Sequence, residues 1–275
     1  IFVTGKGGVG KSAVAAAMAL AQAQQGKRTL LVEFGHQSFY KDYFNLENIS
    51  YKPNYLKSNL DVALWSGPDL LREYALHLIK VETLYKIFFE NPVSKALVNI
   101  APALAELAIL GKITSGYRHV GIDFNYDCVV ADAFATGHML ALLRAPKGFA
   151  EAIKFGPIGE QSRDIFNIIK DPTKTQIYVV SFPEELPVLE GLELAKGIED
   201  LVGYKPKHIL NKCISLPAEL DVSTNPNSFI TYLSSVKERQ QWALKQLTLP
   251  KQLPYILKNS SWELVESLAK EFLSA

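Results

Sequence analysis

The sequence predicts an α/β fold of three layers, in which a mostly parallel sheet is covered by helices on both faces. Two patterns support this prediction: short apolar runs rich in β-branched residues, and longer segments whose apolar residues recur every three or four positions. The 275 residues are 48% hydrophobic, which is enough for a sizeable core in one large domain or two small ones. A formal net charge of +1 gives no reason to expect binding to nucleic acid or to a membrane surface.

Strands and helices are predicted in alternation along most of the chain. The strands are expected at 1–4, 29–34, 60–65, 127–133, 176–182 and 208–211, and the helices at 13–25, 162–170, 186–201, 226–247 and 261–274. Apolar periodicity at 68–88 and 93–113 predicts further helices before the fourth strand. No linker rich in Pro, Gly or Ser marks a boundary. We therefore expect a single domain over residues 1–275, with a helical subdomain at about 40–118.

The loop after the first strand carries the most specific motif of the chain. Residues 5–12 read GKGGVGKS and fit the pattern G-x-x-x-x-G-K-[ST]. A buried strand precedes the motif, and a run of good helix formers follows it as far as Gly26. Strand, glycine-rich loop and helix in this order are what a P-loop requires, so the sequence predicts a P-loop NTPase fold.

The P-loop in turn predicts a site for ATP and Mg²⁺. The N–H groups of the bend and the helix N-terminus favour phosphate, Lys11 would neutralise β- and γ-phosphate charge, and Ser12 would place its hydroxyl on Mg²⁺. The alternative is a glycine-rich turn that binds nothing. The predicted nucleotide-binding residues in this loop are Gly5, Lys6, Gly7, Gly8, Val9, Gly10, Lys11, Ser12 and Ala13.

An ordinary P-loop does not need the first lysine of this motif, Lys6. The segment KGGVGKS resembles the deviant Walker A motif of the SIMIBI class of P-loop ATPases. In that class the early lysine reaches across a dimer interface to the nucleotide of the partner. The resemblance therefore implies a dimer in which Lys6 is catalytic, whereas the alternative for Lys6 is a solvated surface charge.

Later segments are similar to one family within that class, the arsenite-pump and tail-anchored-protein-targeting ATPases. The similar segments are DAFATGH at 132–138, SFPEELPVLEGLELA at 181–195, LNK at 210–212 and LPYIL at 253–257. The resemblance implies that Asp132 holds a Mg²⁺-bound water and that Gly137, Asn211 and Pro254 contact the nucleotide. Asp132 is then catalytic together with Lys6 and Lys11, and it is a metal-site residue with Ser12. The alternatives are a cap or turn residue for Asp132 and a strand-end turn residue for Asn211.

The chain departs from this family where a carboxylate should position the attacking water. An ungapped reading places the aspartate of the family at Gly35. Glu33 lies two residues earlier on the predicted strand and points the same way, but about 6 to 7 Å further back. Three possibilities follow: Glu33 is the catalytic carboxylate, His36 substitutes for it, or hydrolysis is slow.

Two client types of the family are disfavoured by composition. Arsenite and antimonite prefer thiolates, whereas the two cysteines, Cys128 and Cys213, are far apart in sequence. The two methionines, Met18 and Met139, do not predict a methionine-rich groove for transmembrane helices. Three aromatic residues, Tyr40, Tyr43 and Phe44, follow the second strand. Core packing is the preferred interpretation of these residues, and a partner-binding surface is the alternative.

The sequence thus predicts an ATP-binding, Mg²⁺-dependent dimeric switch ATPase with an unknown protein client. A homodimer is expected because the chain has one P-loop, and a heterodimer with a paralogue stays open. A cytoplasmic location is expected from the sparse cysteines and the absence of a signal-like segment. No binding to nucleic acid and no membrane insertion are expected, since the C-terminal amphipathic segment carries three glutamates and one lysine. The alternative function is a catalytically weak ATP-binding scaffold or regulatory protein.

Overall fold

The computed structural model describes residues 1–79, 102–118, 124–155, 157–215 and 228–273. Its strands are β1 (Phe2–Gly5), β2 (Thr29–Phe34), β3 (Asn54–Lys57), β4 (Leu60–Trp65), β5 (Cys128–Asp132), β6 (Ile177–Ser181), β7 (Lys207–Cys213) and β8 (Lys251–Pro254). Its helices are α1 (Lys11–Gln24), α2 (Phe39–Tyr43), α3 (Gly67–Ile79), α4 (Pro102–Ile113), α5 (Ser115–Arg118), α6 (Thr136–Ala152), α7 (Pro157–Lys170), α8 (Glu185–Val202), α9 (Ser228–Gln246) and α10 (Ser261–Leu273).

The eight strands form one sheet in the order β3-β4-β2-β5-β1-β6-β7-β8. All neighbouring strands are parallel except β3 and β4, which are antiparallel at one edge. Strand β1 therefore lies in the interior of the sheet, between β5 and β6. Because the carboxyl ends of parallel strands meet at one edge, the loop after β1 opens at the edge where β2 and β5 also end.

Two apolar clusters cover the two faces of the sheet. Val3, Leu31 and Val130 pack with α1, α2 and α10 on one face. Their sequence neighbours Phe2, Leu30, Val32 and Ala131 point to the other face, where they pack with α3, α4, α6, α7 and α8. This alternation along each strand follows from the two-residue period of extended chain. The predicted three-layer α/β/α P-loop NTPase fold is confirmed.

All six predicted strands are present, with ends that differ by up to two residues. The edge strand β3 and the four-residue β8 were not predicted, since NYLK and KQLP are too short and polar to show a strand pattern. The helix α6 was not predicted either. Its interior contains Pro146, and proline usually ends or kinks a helix. Of the helices predicted at 68–88 and 93–113, residues 80–101 lie outside the described residues.

The domain division stays a prediction. Within residues 40–118, strands β3 and β4 belong to the main sheet, whereas α3 and α4 pack against each other and α4 packs against α6. Core packing is confirmed for Tyr40 and Phe44, which are 0% and 6% exposed. The C-terminal helix α10 packs on α1 through Val265, Leu268 and Ala269. Among the described residues, no helix combines the length and apolar character needed to cross a bilayer.

Candidate functional site

The predicted P-loop runs from the end of β1 at Gly5 into α1, which begins at Lys11. Gly10 is the N-cap residue of α1 and has a φ of 87°, a left-handed conformation that glycine adopts without strain. Glycine has no side chain that could cap the helix, and the first turn of α1 contains no acidic residue. The N–H groups and the positive end of this 14-residue helix are therefore available to an anion.

Lys11 folds back over the loop, where its Nζ donates to the backbone oxygen of Lys6 at 3.0 Å. Burial lowers the pKa of Lys11, and the nearby carboxylate of Asp132 partly offsets this effect. The ammonium group is therefore held next to the loop, and its positive charge is only partly balanced by Asp132. This arrangement suits a ligand of high negative charge.

Asp132 ends the strand next to β1 and lies beside the start of α1. Its carboxylate accepts hydrogen bonds from the hydroxyls of Ser12 and Tyr40. Burial raises the pKa of Asp132, while the Ser12 hydrogen bond, the charge of Lys11 and the Tyr40 hydrogen bond oppose that rise. A bound cation would add a further favourable interaction with this carboxylate.

The pair formed by Ser12 and Asp132 fits Mg²⁺, which prefers oxygen ligands and keeps several waters. In the described part of the chain, no group of three or more His, Cys, Asp or Glu side chains could hold a metal ion. A Mg²⁺ ion at this pair would therefore take most of its ligands from phosphate oxygens and water. This is the arrangement expected where a metal binds together with a nucleotide.

Lys6 is held within its own chain. Its Nζ lies 2.5 Å from Oε1 of Glu190 on α8, and the two side chains are 37% and 36% exposed. The partial exposure means that this pair stabilises the fold only weakly. Glu190 is a residue that the sequence analysis missed, although it lies in the segment SFPEELPVLEGLELA that carries part of the family resemblance.

Asn211 lies at the P-loop, although 202 residues separate it from Val9 in the sequence. Its Nδ2 donates to the Val9 backbone oxygen at 3.0 Å, and its Oδ1 accepts from the Lys212 N–H at 3.0 Å. A Cβ at Gly10 would lie 2.6 Å from Nδ2 of Asn211, so the amide packs directly on the loop. The side chain is 4% exposed and supports the loop before any ligand binds. Its predicted contact with adenine stays a prediction.

Glu33 lies directly beside Asp132, because the two residues are paired in the register of β2 and β5. Its carboxylate is engaged by the start of α2: Oε1 accepts from the Ser38 hydroxyl, and Oε2 accepts from the Phe39 N–H at 2.8 Å. Burial raises the pKa of Glu33, and the hydrogen bond from Ser38 opposes this rise. The catalytic role predicted for Glu33 is therefore in competition with a structural role at α2.

The backbone at Gly35 has a φ of 145°, in a region that residues with a Cβ rarely adopt. An aspartate could not occupy this position without a change of the local backbone. His36, the other substitute considered from the sequence, has an exposed side chain. The backbone after β2 thus follows a course at Gly35 that a residue with a Cβ would disfavour.

The remaining predicted residues lie at strand and helix ends. Gly137 is in the first turn of α6, whose N-cap residue Ala135 makes no side-chain hydrogen bond. Pro254 ends β8 and pairs in register with Cys213 on β7. His138 packs its ring against Phe134, with centroids 5.6 Å apart. The structure thus places Lys6, Lys11, Ser12, Asp132 and Asn211 around one loop, and a nucleotide role for Gly137 and Pro254 stays a prediction.

The family model described as anion-transporting ATPase matches residues 1–158, which include the P-loop, Glu33, Asp132 and Gly137. This chain belongs to the anion-transporting ATPase family. ATP binding and ATPase activity are accordingly properties of the family to which it belongs, and the predicted family resemblance is confirmed.

Several curated proteins similar to this chain are named as ATPases. A putative arsenical pump-driving ATPase of Halobacterium salinarum is 30% identical over 222 residues, which cover 74% of this chain and 34% of that protein. ATPase BagA of Mycobacterium tuberculosis is 28% identical over 236 residues, 80% of this chain and 66% of BagA. The arsenical pump-driving ATPase of Escherichia coli is 28% identical over 221 residues, 78% and 35% of the two chains. The chain therefore spans about one third to two thirds of the length of these relatives.

The contact between Asn211 and Val9 predicts a measurable contribution to stability. Asn211→Ala removes the donor to a buried backbone oxygen, which should lower the free energy of unfolding of the ligand-free protein by about 1–3 kcal/mol. Urea denaturation followed by circular dichroism measures this loss. Asn259→Ala is the control, since Asn259 is exposed and should change stability by no more than about 0.5 kcal/mol. Equal, small effects of the two substitutions would contradict the assigned support of the loop.

Proposed function

We propose that this chain binds ATP together with Mg²⁺ and acts as a dimeric, nucleotide-dependent switch in the cytoplasm. The observation that carries the proposal is the convergence of Lys11, Ser12 and Asp132 at the open N-terminus of α1. An ammonium group, a hydroxyl and a carboxylate at a helix N-terminus suit a magnesium-bound polyphosphate and little else.

Each residue of this group has a separate task in the proposal. Lys11 and the N–H groups of the loop bind phosphate oxygens, and Ser12 with the carboxylate of Asp132 holds the metal and its water. When bound, Mg²⁺ supplies charge neutralisation on the phosphate oxygens. Transfer of a phosphoryl group to water depends mainly on positioning and electrostatic stabilisation, so no strong base is required at this site.

The first test is binding of ATP by the purified protein. Isothermal titration with ATP and Mg²⁺ should give saturable heat for the wild type, and Lys11→Ala should weaken binding by about 10- to 100-fold because a charge-assisted contact is lost. Lys27→Ala is the matched control, since Lys27 is an exposed lysine that follows α1 and hydrogen-bonds Gln22. No heat from the wild type, or equal affinity in both lysine variants, would contradict the proposal.

The dimer is proposed from the position of Lys6 in the motif and from its contact in the structure. Lys6 forms an ion pair with Glu190 of the same chain. Because this pair is partly exposed, opening it costs little free energy. In the proposed ATP state, Lys6 leaves Glu190 and contributes its charge to the nucleotide of a second copy of this chain. Charge supplied from a partner is an established way to stabilise a phosphoryl-transfer transition state.

The dimer prediction is tested by gel filtration with a non-hydrolysable ATP analogue and Mg²⁺. Lys6→Ala should still bind the analogue but should fail to dimerise, because the charge from the partner is missing. Glu190→Gln removes the competing carboxylate, so it should dimerise at a lower analogue concentration than the wild type. Lys41→Ala serves as the control at an exposed lysine outside the loop. An unchanged ATP-dependent dimer in Lys6→Ala would refute the role of Lys6.

A second candidate function is an ATP-binding scaffold with little catalysis, which uses ATP as a structural ligand to hold a partner. Gly35 and the engaged carboxylate of Glu33 support this candidate, since neither offers a free group to an attacking water.

Cys128 and Cys213 lie on β5 and β7, with β1 and β6 between them, so they do not form a thiolate pair for a soft metalloid. The partner that we propose is therefore a protein client.

The two candidates are separated by the rate of phosphate release. We expect the wild type to release phosphate from ATP and Mg²⁺ slowly, but faster than Lys11→Ala. A coupled phosphate assay over several hours, with Lys27→Ala as the control, measures both rates. A wild-type rate no higher than that of Lys11→Ala would favour the scaffold over the switch ATPase.

A further inference from the structure

The hydroxyl of Tyr40 lies deep inside the protein, between the P-loop helix and the strand that carries Asp132. Tyr40 is 0% exposed and belongs to the short helix α2. Its oxygen is 2.9 Å from the backbone oxygen of Ser12 and 3.2 Å from Oδ2 of Asp132. One hydroxyl thus contacts both residues that are proposed to hold the metal.

The position of this hydroxyl is determined by several contacts of α2. The Glu33 carboxylate accepts hydrogen bonds from the Ser38 hydroxyl and the Phe39 N–H at the start of the helix. At the other end of α2, the ring of Tyr40 stacks on Phe44, and Phe44 stacks on Trp262 of α10 with centroids 4.2 Å apart. The ring therefore has little freedom to move, and its hydroxyl is held next to the metal-site residues.

The helix α2 carries a second tyrosine, Tyr43, whose hydroxyl has different surroundings from that of Tyr40. Tyr43, on the same helix, also has a buried hydroxyl oxygen, but none of the described residues forms a hydrogen bond with it. The Tyr40 hydroxyl carries its proton at neutral pH, as tyrosine ordinarily does, so it can act as a donor. The hydroxyl is a single donor facing two acceptors, and it can give its proton to only one of them at a time.

We propose that Tyr40 is a positioning residue that acts through Asp132. Its hydroxyl donates to Oδ2 and orients the carboxylate, so that the other oxygen is directed to Mg²⁺ and its water. Partners of this kind fix the orientation of metal-binding side chains and commonly contribute 10- to 100-fold to metal affinity. The Ser12 backbone oxygen is the other acceptor of the same proton, and in the ligand-free protein it is the nearer one, at 2.9 Å against 3.2 Å for Oδ2. The hydroxyl therefore links the carboxylate to the start of α1. This inference rests on the proposed function of the site.

The test is Tyr40→Phe, which removes the hydroxyl and keeps the ring. We measure the Mg²⁺ concentration that gives half-maximal binding of an ATP analogue, and the affinity for the same analogue in EDTA. Tyr40→Phe should raise the half-maximal Mg²⁺ concentration by about 10-fold or more, leave the affinity in EDTA within about twofold, and bind normally at high Mg²⁺. Tyr43→Phe, the matched control, should leave all three quantities unchanged.

A double-mutant cycle shows whether the effect passes through Asp132. Asp132→Asn should also raise the half-maximal Mg²⁺ concentration, and adding Tyr40→Phe to it should change that value by less than about twofold. Full additivity in the double variant would overturn the proposal, as would an unchanged Mg²⁺ dependence in Tyr40→Phe. Loss of the folded state in ligand-free Tyr40→Phe, seen by thermal melting, would assign the hydroxyl to stability and overturn it too. Absence of ATP binding by the wild type would instead overturn the proposed function on which this inference rests.

Discussion

The partial burial of one carboxylate, that of Asp132, is the constraint on which the arrangement of the site depends. A carboxylate removed from water must be hydrogen-bonded or paired, because its desolvation is costly. Here Ser12 and Tyr40 donate to it and Lys11 lies nearby, yet burial still dominates and the pKa of Asp132 stays raised. The loop, α2 and β5 are therefore joined at a point that would gain from a further positive charge.

The same loop is supported from the other side of β1. Asn211 on β7 donates to the Val9 backbone oxygen, and Lys6 is paired with Glu190 on α8. The conformation of the loop in the ligand-free protein thus does not depend on phosphate alone. A loop that is ordered before the ligand arrives loses less conformational freedom on binding, which favours affinity.

The segment after β2 is where the sequence predicts a departure from the family. Glu33 keeps a carboxylate beside Asp132, but that carboxylate is used to fix the start of α2. Gly35 then turns the backbone in a direction that an aspartate would resist. Contacts run without a break from the Asp132 carboxylate through Tyr40 and Phe44 to Trp262.

The sequence by itself determined the fold class and the position of the P-loop, because these depend on local periodicity and on a motif of eight neighbouring residues. It missed β3, β8 and α6, whose residues lack a clear pattern. Only the tertiary structure decided three contacts between residues. Lys6 pairs with Glu190, 184 residues away, and Asn211 donates to the backbone oxygen of Val9. The carboxylate of Glu33 accepts a hydrogen bond from the start of α2. The physical reason is that hydrogen bonds and ion pairs between distant residues depend on how strands and helices pack, and local sequence carries no record of that packing.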